Sequence, residues 1–194
     1  MAAPQDVTLR NLNGNWVMSK TLSDDLGPSL ELQGIPWIVR KAVSFATITG
    51  KLTQTTDEKG TTRIVVDQTA TGGIKGETEN YVLDGSESRV GSSMFGFQHL
   101  RTQWVDLANQ PMSLAGGPLD PWLQEGWLED SFGPWDHVHV YTASEKGWSA
   151  EHIWGIVLKD GKRYYAKKIL LKRGEDSVKA NVVYEWKGPL TSNE

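Results

Sequence analysis

The chain has 194 residues, 38% of them apolar, which suits one domain with a sizeable core. Twenty basic and 24 acidic residues leave a net charge of −4, and without a basic run or acidic tail this argues against nucleic acid or an anionic membrane as partner. Cysteine is absent, which excludes disulfides and thiolate chemistry. The opening residues lack the charged and apolar regions of a secretory leader, and no apolar run approaches a membrane span. We therefore expect a cytoplasmic protein with no stable membrane insertion.

Residues 1–11 read as a loose leader, and Gly14 to Lys20 as a first strand with Gly14, Trp16 and Met18 on one face. Two short helices follow over about 23–46. Ser23 is placed to cap the first, with Asp24 and Asp25 on its first-turn amides. Gly34 stops it, and Pro36 opens the second. In that second helix Ile35, Ile38, Val39, Ala42, Val43 and Ala46 fall on one stripe.

Almost everything after Thr47 reads as strand and turn. Asp57-Glu58-Lys59-Gly60, Asp84-Gly85, Asp160-Gly161 and Arg173-Gly174-Glu175-Asp176 are hairpin turns. The glycine-rich Gly72-Gly73-Ile74-Lys75-Gly76 lacks the helix start of a phosphate loop and reads as a bend between strands. Strands are expected at 47–55, 62–69, 74–83, 89–97, 100–107, 135–142, 148–159, 163–172 and 178–187. Residues 108–134 break the rhythm with four prolines and several glycines, yet carry Met112, Leu114, Leu119, Trp122, Leu123, Trp127 and Leu128. They are too apolar for a flexible linker. An ordered insertion is expected there, with one helical turn near 120–125, in the role of a lid or binding loop.

One strand, a helix pair and a long run of antiparallel strands resemble the intracellular fatty-acid-binding proteins of the calycin group. The matching residues are Gly14-x-Trp16, the segment from Ser23 to Gly34, and Trp37-Ile38-Val39-Arg40-Lys41, with weaker echoes in Ile64 to Leu83 and Val183-Tyr184-Glu185. The resemblance is best over residues 12–85. It implies an all-β fold: a roughly ten-stranded antiparallel up-and-down β-barrel, single-domain over 1–194, with the helix pair as lid and a hydrophobic ligand inside. Proteins of that group usually end in Arg-x-Tyr, which holds the ligand carboxylate. Here the place reads Val182-Val183-Tyr184, so ordinary fatty-acid binding is in doubt unless Arg101, Lys167 or Lys168 points inward.

Nine tryptophans, at 16, 37, 104, 122, 127, 135, 148, 154 and 186, offer rigid apolar area for a core or for a cavity that takes a flat, polycyclic ligand. Trp37, Arg101, Gln103, Trp104, Trp127, Trp154 and Tyr184 are the candidate ligand-binding residues. Arg40 and Lys41 read either as a solvated helix face or as a portal collar. The reactive-looking stretch is Asp136-His137-Val138-His139-Val140-Tyr141. On a strand His137, His139 and Tyr141 share one face and the valines the other, and alternation does not say which points inward. Facing a cavity, the three could act as general acid and base near neutral pH. His-x-His could also ligate a metal with His152, Glu145 or Glu151, or one histidine a haem, but the spacing matches no metal signature, and no metal or cofactor is expected.

Two readings follow. One is a carrier that holds a hydrophobic, polycyclic small molecule. The other is a cofactor-free isomerase or cyclase acting on a terpenoid, polyketide or alkaloid intermediate in the same cavity, folding it into one reactive conformer.

Overall fold

The computed structural model describes residues 1–128 and 137–191. Ten strands form one antiparallel sheet: β1 (Gly14–Met18), β2 (Thr49–Thr56), β3 (Thr62–Ala70), β4 (Ile74–Val82), β5 (Glu87–Ser92), β6 (Gly96–Val105), β7 (His137–Ser144), β8 (Ser149–Lys159), β9 (Lys162–Arg173) and β10 (Asp176–Gly188). Three short helices complete it: α1 (Gly27–Leu32), α2 (Trp37–Phe45) and α3 (Pro121–Gln124). The sheet order is β4-β3-β2-β1-β10-β9-β8-β7-β6-β5, so β1 pairs with both β2 and β10. This is the expected up-and-down barrel, nearly closed.

The remaining seam lies between β4 and β5. Side chains bridge it: the Glu77 carboxylate accepts from the Ser93 amide and, at 2.6 Å, from the Ser93 hydroxyl. Further along, Thr102 Oγ1 on β6 donates to the Val82 carbonyl at 2.6 Å. Gly161 (φ 70°) turns the β8–β9 hairpin, whereas Asp84-Gly85 (Gly85 φ 76°) is not the expected hairpin turn: it links β4 to β5, which do not pair.

Period-two alternation divides each strand into an inner and an outer row. The inner rows carry the main core, including Trp16, Leu52, Ile64, Tyr81, Leu100, Val138, Val140, Trp154 and Tyr165. Trp16 is the structural tryptophan the Gly-x-Trp pattern suggests. Its indole donates to the Leu12 carbonyl at 3.0 Å and meets Tyr165 and Trp186 edge-on.

The first residues are not a loose leader. Ala3, Val7, Leu9 and Leu12 are buried in the main core. The segment is tied down by Ala3 N to the Arg163 carbonyl (2.7 Å), Arg163 to the Val7 carbonyl (3.1 Å) and Gln54 to the Leu9 carbonyl (3.1 Å). Its apolar residues are too widely spaced to announce a strand or helix, and what they share is burial in the barrel core.

The helix pair lies at the opposite end, where α1 packs on β9 and β10. The first helix is shorter than expected. Ser23 does not cap it; its hydroxyl exchanges hydrogen bonds with the Val183 backbone on β10. Asp24 likewise takes the Asn181 amide at 2.7 Å, and Asp25 takes the Gly27 amide at 2.9 Å. Pro28 starts the helix and Gly34, at φ 78°, ends it.

The insertion also differs from expectation. It does contain a helical turn, α3, capped by Asp120 Oδ1 accepting from the Trp122 amide at 2.9 Å. Its described part, 108–128, is not a lid on the barrel mouth but a plate on the outer wall. Leu119 and Leu123 form a second core with Val105, Ile153 and Leu170 from the outer rows of β6, β8 and β9. Residues 129–134, and with them Trp135 and Asp136 at the expected start of β7, lie outside the described residues.

Candidate active site

The barrel holds a cavity of about 390 Å³ that opens to the outside, within the usual range for small-molecule sites. Its walls come from the inner rows: Met18 on β1, Tyr81 on β4, Leu100 on β6, Ala150 and His152 on β8, Lys167 and Ile169 on β9, Val182 and Tyr184 on β10. Leu26, Ser29 and Leu30 of the α1 region complete it on the lid side.

The floor is aromatic: Tyr81 and Tyr184 line it, and Trp154 and Tyr165 pack behind them. Trp154, fully buried, meets Tyr81 edge-on at 4.8 Å and Tyr165 at 6.1 Å between centroids. Tyr165 stacks on Tyr184 at 5.0 Å. Above this floor stands Lys167, with its Nζ 4.1 Å from the Trp154 ring centroid, 5.6 Å from that of Tyr184 and 5.8 Å from that of Tyr81. A cation over ring faces is held by their quadrupoles. Lys167 is directly across the ladder from Val182, where the Arg-x-Tyr resemblance has its arginine. The inward cation has thus moved one strand over, while Tyr184 keeps its place in the wall.

The electrostatics follow from burial. Desolvation pushes the Lys167 ammonium down from its usual range, opposed by the nearby Glu79 carboxylate. Glu79 accepts a 2.9 Å hydrogen bond from the Tyr81 hydroxyl. Burial raises the phenols of Tyr81, Tyr165 and Tyr184, so all three remain O–H groups at neutral pH. His152 is driven the other way: burial first, then the charges of Lys167 and His139, lower it to about 3, so it is a neutral imidazole. The cavity therefore offers one cation, Lys167, two carboxylates, Glu77 and Glu79, several neutral donors and apolar surface. It offers no histidine or phenolate with the near-neutral pKa of a strong general base.

The expected acid–base face of β7 does not reach this cavity. Thr142 lines it and Val138 and Val140 join the inner core, so His137, His139 and Tyr141 face outward. His139 is nonetheless fully buried, because the plate covers it. Its Nε2 bonds Glu151 Oε1 at 2.8 Å, and Glu151 also accepts from the Ser113 hydroxyl (3.0 Å) and the Leu114 amide (3.0 Å). This network latches the plate to the wall. Burial alone would raise the Glu151 carboxyl; the hydrogen bonds from His139, Ser113 and Leu114 hold it below its usual range. His137 packs edge-on against Trp127 on the same outer side.

The candidate ligand residues divide in the same way. Tyr184 lines the cavity, whereas Trp154 is fully buried behind Lys167 and is not part of the lining. Trp104 is on the inner row but packs against the main core with the Arg10 guanidinium 3.9 Å over its ring. Trp37 is 64% exposed on α2. Arg101 is on the outer row, 3.6 Å from Glu87, and Gln103 is across the ladder from outward-facing His139. Trp127 belongs to the plate, where its ring lies against Gly155 so closely that a Cβ there would fall 2.3 Å from it. Lys168 also faces outward, donating to the Trp122 and Glu125 carbonyls at 2.8 and 2.6 Å. Of the three cations considered for the cavity, only Lys167 points in. Among the described residues no group of three or more His, Asp or Glu is arranged to hold a metal ion, and no helix is long and apolar enough to cross a membrane.

A ten-stranded antiparallel barrel with a helix pair after β1 is the fold of the fatty-acid-binding proteins. Solved structures agree on the fold. A Schistosoma mansoni fatty acid binding protein in complex with arachidonic acid superposes with a TM-score of 0.54 at 14% identity, over 91% of this chain and 96% of that one. Caenorhabditis elegans lipid binding protein 8 gives 0.56 at 11% identity, over 94% and 99%. No family model matches the sequence. Two relatives do, along nearly the whole chain. One is the probable pericyclase scpY of Mollisia scopiformis, 31% identical over 190 residues (97% of this chain, 96% of that protein). The other is the pericyclase pydY of an Acremonium species, 30% identical over 191 residues (97% and 98%). The chain belongs to the family of these two proteins.

Proposed function

We propose that this protein is a cofactor-free cyclase that closes a ring in a hydrophobic, conjugated substrate held inside the barrel by a pericyclic step. The observation that carries this reading is the cavity inside the barrel: its carboxylates, Glu77 and Glu79, are held by the Ser93 and Tyr81 hydroxyls, and it has no strong imidazole or phenolate base. A pericyclic closure needs no such base. Each new σ bond replaces a π bond of the substrate, and no atom enters or leaves. The protein's contribution is to exclude water and to hold a flexible chain in a near-attack conformer, which is worth on the order of 1–5 kcal/mol. Burial of apolar surface, at about 25 cal/mol per Å², supplies the binding energy. The pericyclase names of the two full-length relatives support the same reaction class.

Acid–base isomerisation through His137, His139 and Tyr141 loses its geometric basis, since those side chains lie beyond the barrel wall. Carriage without conversion is the competing outcome. The deciding test uses the compound that accumulates when this gene is deleted from its host. That compound is incubated with purified, chelator-treated protein and followed by mass-resolved chromatography. A new isomer of equal mass is expected. Recovery of the compound bound but unchanged would make the protein a carrier.

A further inference from the structure

Lys167 is the one inward-facing cation among the cavity's lining residues, and it is held in an unusual way. It is 9% exposed, yet no described residue accepts a hydrogen bond from its Nζ; its neighbours are the ring faces of Trp154, Tyr184 and Tyr81, and the charged or titratable groups that act on it are the Glu79 carboxylate and the neutral His152. Burial of a lysine without a hydrogen-bonded partner is costly. Contrast Lys168, one residue on, whose Nζ is satisfied by two carbonyls. A structural lysine at position 167 would be expected to find such acceptors. Lys167 instead lines the cavity with donors to spare, its Nζ 4.1 Å from the centroid of the buried Trp154 ring.

Resting on the ring-closure reading above, we propose that Lys167 is a catalytic hydrogen-bond donor and that the substrate is a conjugated carbonyl compound. Its Nζ–H donates to the oxygen of a ketone, ester or lactam in conjugation with the reacting π system. As the ring closes, electron density flows toward the carbonyl-bearing fragment and the oxygen gains negative charge. A fixed cation in a dry site stabilises that charge more in the transition state than in the ground state. The lysine keeps its proton throughout. One σ bond forms for each π bond lost, and no oxidant, reductant or co-reactant is consumed. Trp154, Tyr184 and Tyr81 support the ammonium, and Tyr184 and Tyr81, which line the cavity, lie beside the conjugated chain.

The test compares wild type, Lys167→Met and Lys167→Arg on the precursor isolated from the gene-deleted host. Turnover and affinity are measured separately, affinity by quenching of tryptophan fluorescence. Methionine keeps the volume of the side chain and removes the donors, so folding, checked by thermal denaturation, is expected to survive. The expected result is a fall in kcat of about 10²–10³, the usual effect of one lost transition-state donor. The dissociation constant should change by less than about tenfold, and Arg should recover part of the rate. In wild type kcat should decline in alkaline solution as the ammonium is lost, and this limb should vanish in Lys167→Met. If wild type closes the ring and Lys167→Met does so equally fast, the role of Lys167 is overturned while the cyclase reading stands. If wild type binds the precursor without converting it, both fail. If Lys167→Met loses affinity and rate in the same proportion, Lys167 is only a binding residue and the catalytic proposal fails.

Discussion

The wall made by β7, β8 and β9 has two sides that use the same residue types for opposite ends. On the outside, Lys168, His139 and Glu151 are buried under the plate and engaged: the lysine by two carbonyls, the carboxylate by three donors. On the inside, Lys167 and His152 face the cavity, and no described residue makes a hydrogen bond with either. Polar groups engaged by the protein itself hold the structure together; polar groups left for something else are where a substrate can be read. Residue type alone would have ranked the outer histidines higher.

The sharpest way to break this contrast is to swap the two neighbouring lysines for methionine in turn. Lys167→Met should cost turnover by about 10²–10³ and leave the melting temperature near wild type, since replacing a buried charge with an apolar side chain is often neutral or better. Lys168→Met should do the reverse, leaving two plate carbonyls unsatisfied and lowering stability by about 1–3 kcal/mol. Equal effects of the two changes on kcat would erase the distinction.

Glu151→Ala attacks the outer side directly. It strands the imidazole of His139, the Ser113 hydroxyl and the Leu114 amide in a dry interface. A loss of about 3 kcal/mol or more is expected, a fall in Tm of roughly 6–12 °C for a domain of this size. Turnover per folded molecule should be retained well below that temperature. A melting curve indistinguishable from wild type would mean that the plate is not latched there.

Acid should probe both sides at once. The Glu151 carboxyl is depressed in the folded state, so its stabilisation is complete above its unfolded value of 4.5 and is lost as pH falls through the lower folded value. His152 binds its proton only near pH 3 when folded but near 6.5 when unfolded. Its contribution is therefore complete above 6.5 and declines steadily down to about 3. Urea midpoints measured from pH 7 to pH 3 should fall in wild type. His152→Leu should flatten the upper part of that fall and Glu151→Gln the lower part. A wild-type midpoint that does not change with pH would contradict both.

The smallest effect is expected at the helix pair. Phe45 is 72% exposed and α2 buries no residue completely. Phe45→Ser should move stability by no more than about 0.5 kcal/mol, as a thermal scan would show.

Much of the fold was legible because local signals agreed with one another. The Asp-Gly hairpin at 160–161, the Gly34 stop and the Pro36 start all fall where expected, while Asp84-Gly85 turns the chain without making a hairpin. The site was less legible. In an exposed antiparallel sheet the apolar row identifies the inside, but here the plate buries the outside of β7 to β9 as well. Val138 and His139 are both fully buried, so alternation between them carries no direction. The same holds for Lys167 and Lys168, adjacent in sequence and opposite in fate. Trp127 looked like a cavity residue until Gly155 supplied the flat place on the outer wall where its ring rests. One signal was available. Val182 stands where the resembling barrels have arginine, which asked for a cation elsewhere, and Lys167, its partner across the ladder, provides it.

The central claim is that the inside of the barrel closes a ring without moving a proton to or from carbon. Running the reaction of the isolated precursor in heavy water tests it most directly. The expected product has, after exchangeable positions are washed with ordinary water, the mass of the precursor, and forms at nearly the same rate in both solvents. A product carrying deuterium on carbon would show stepwise protonation and contradict it.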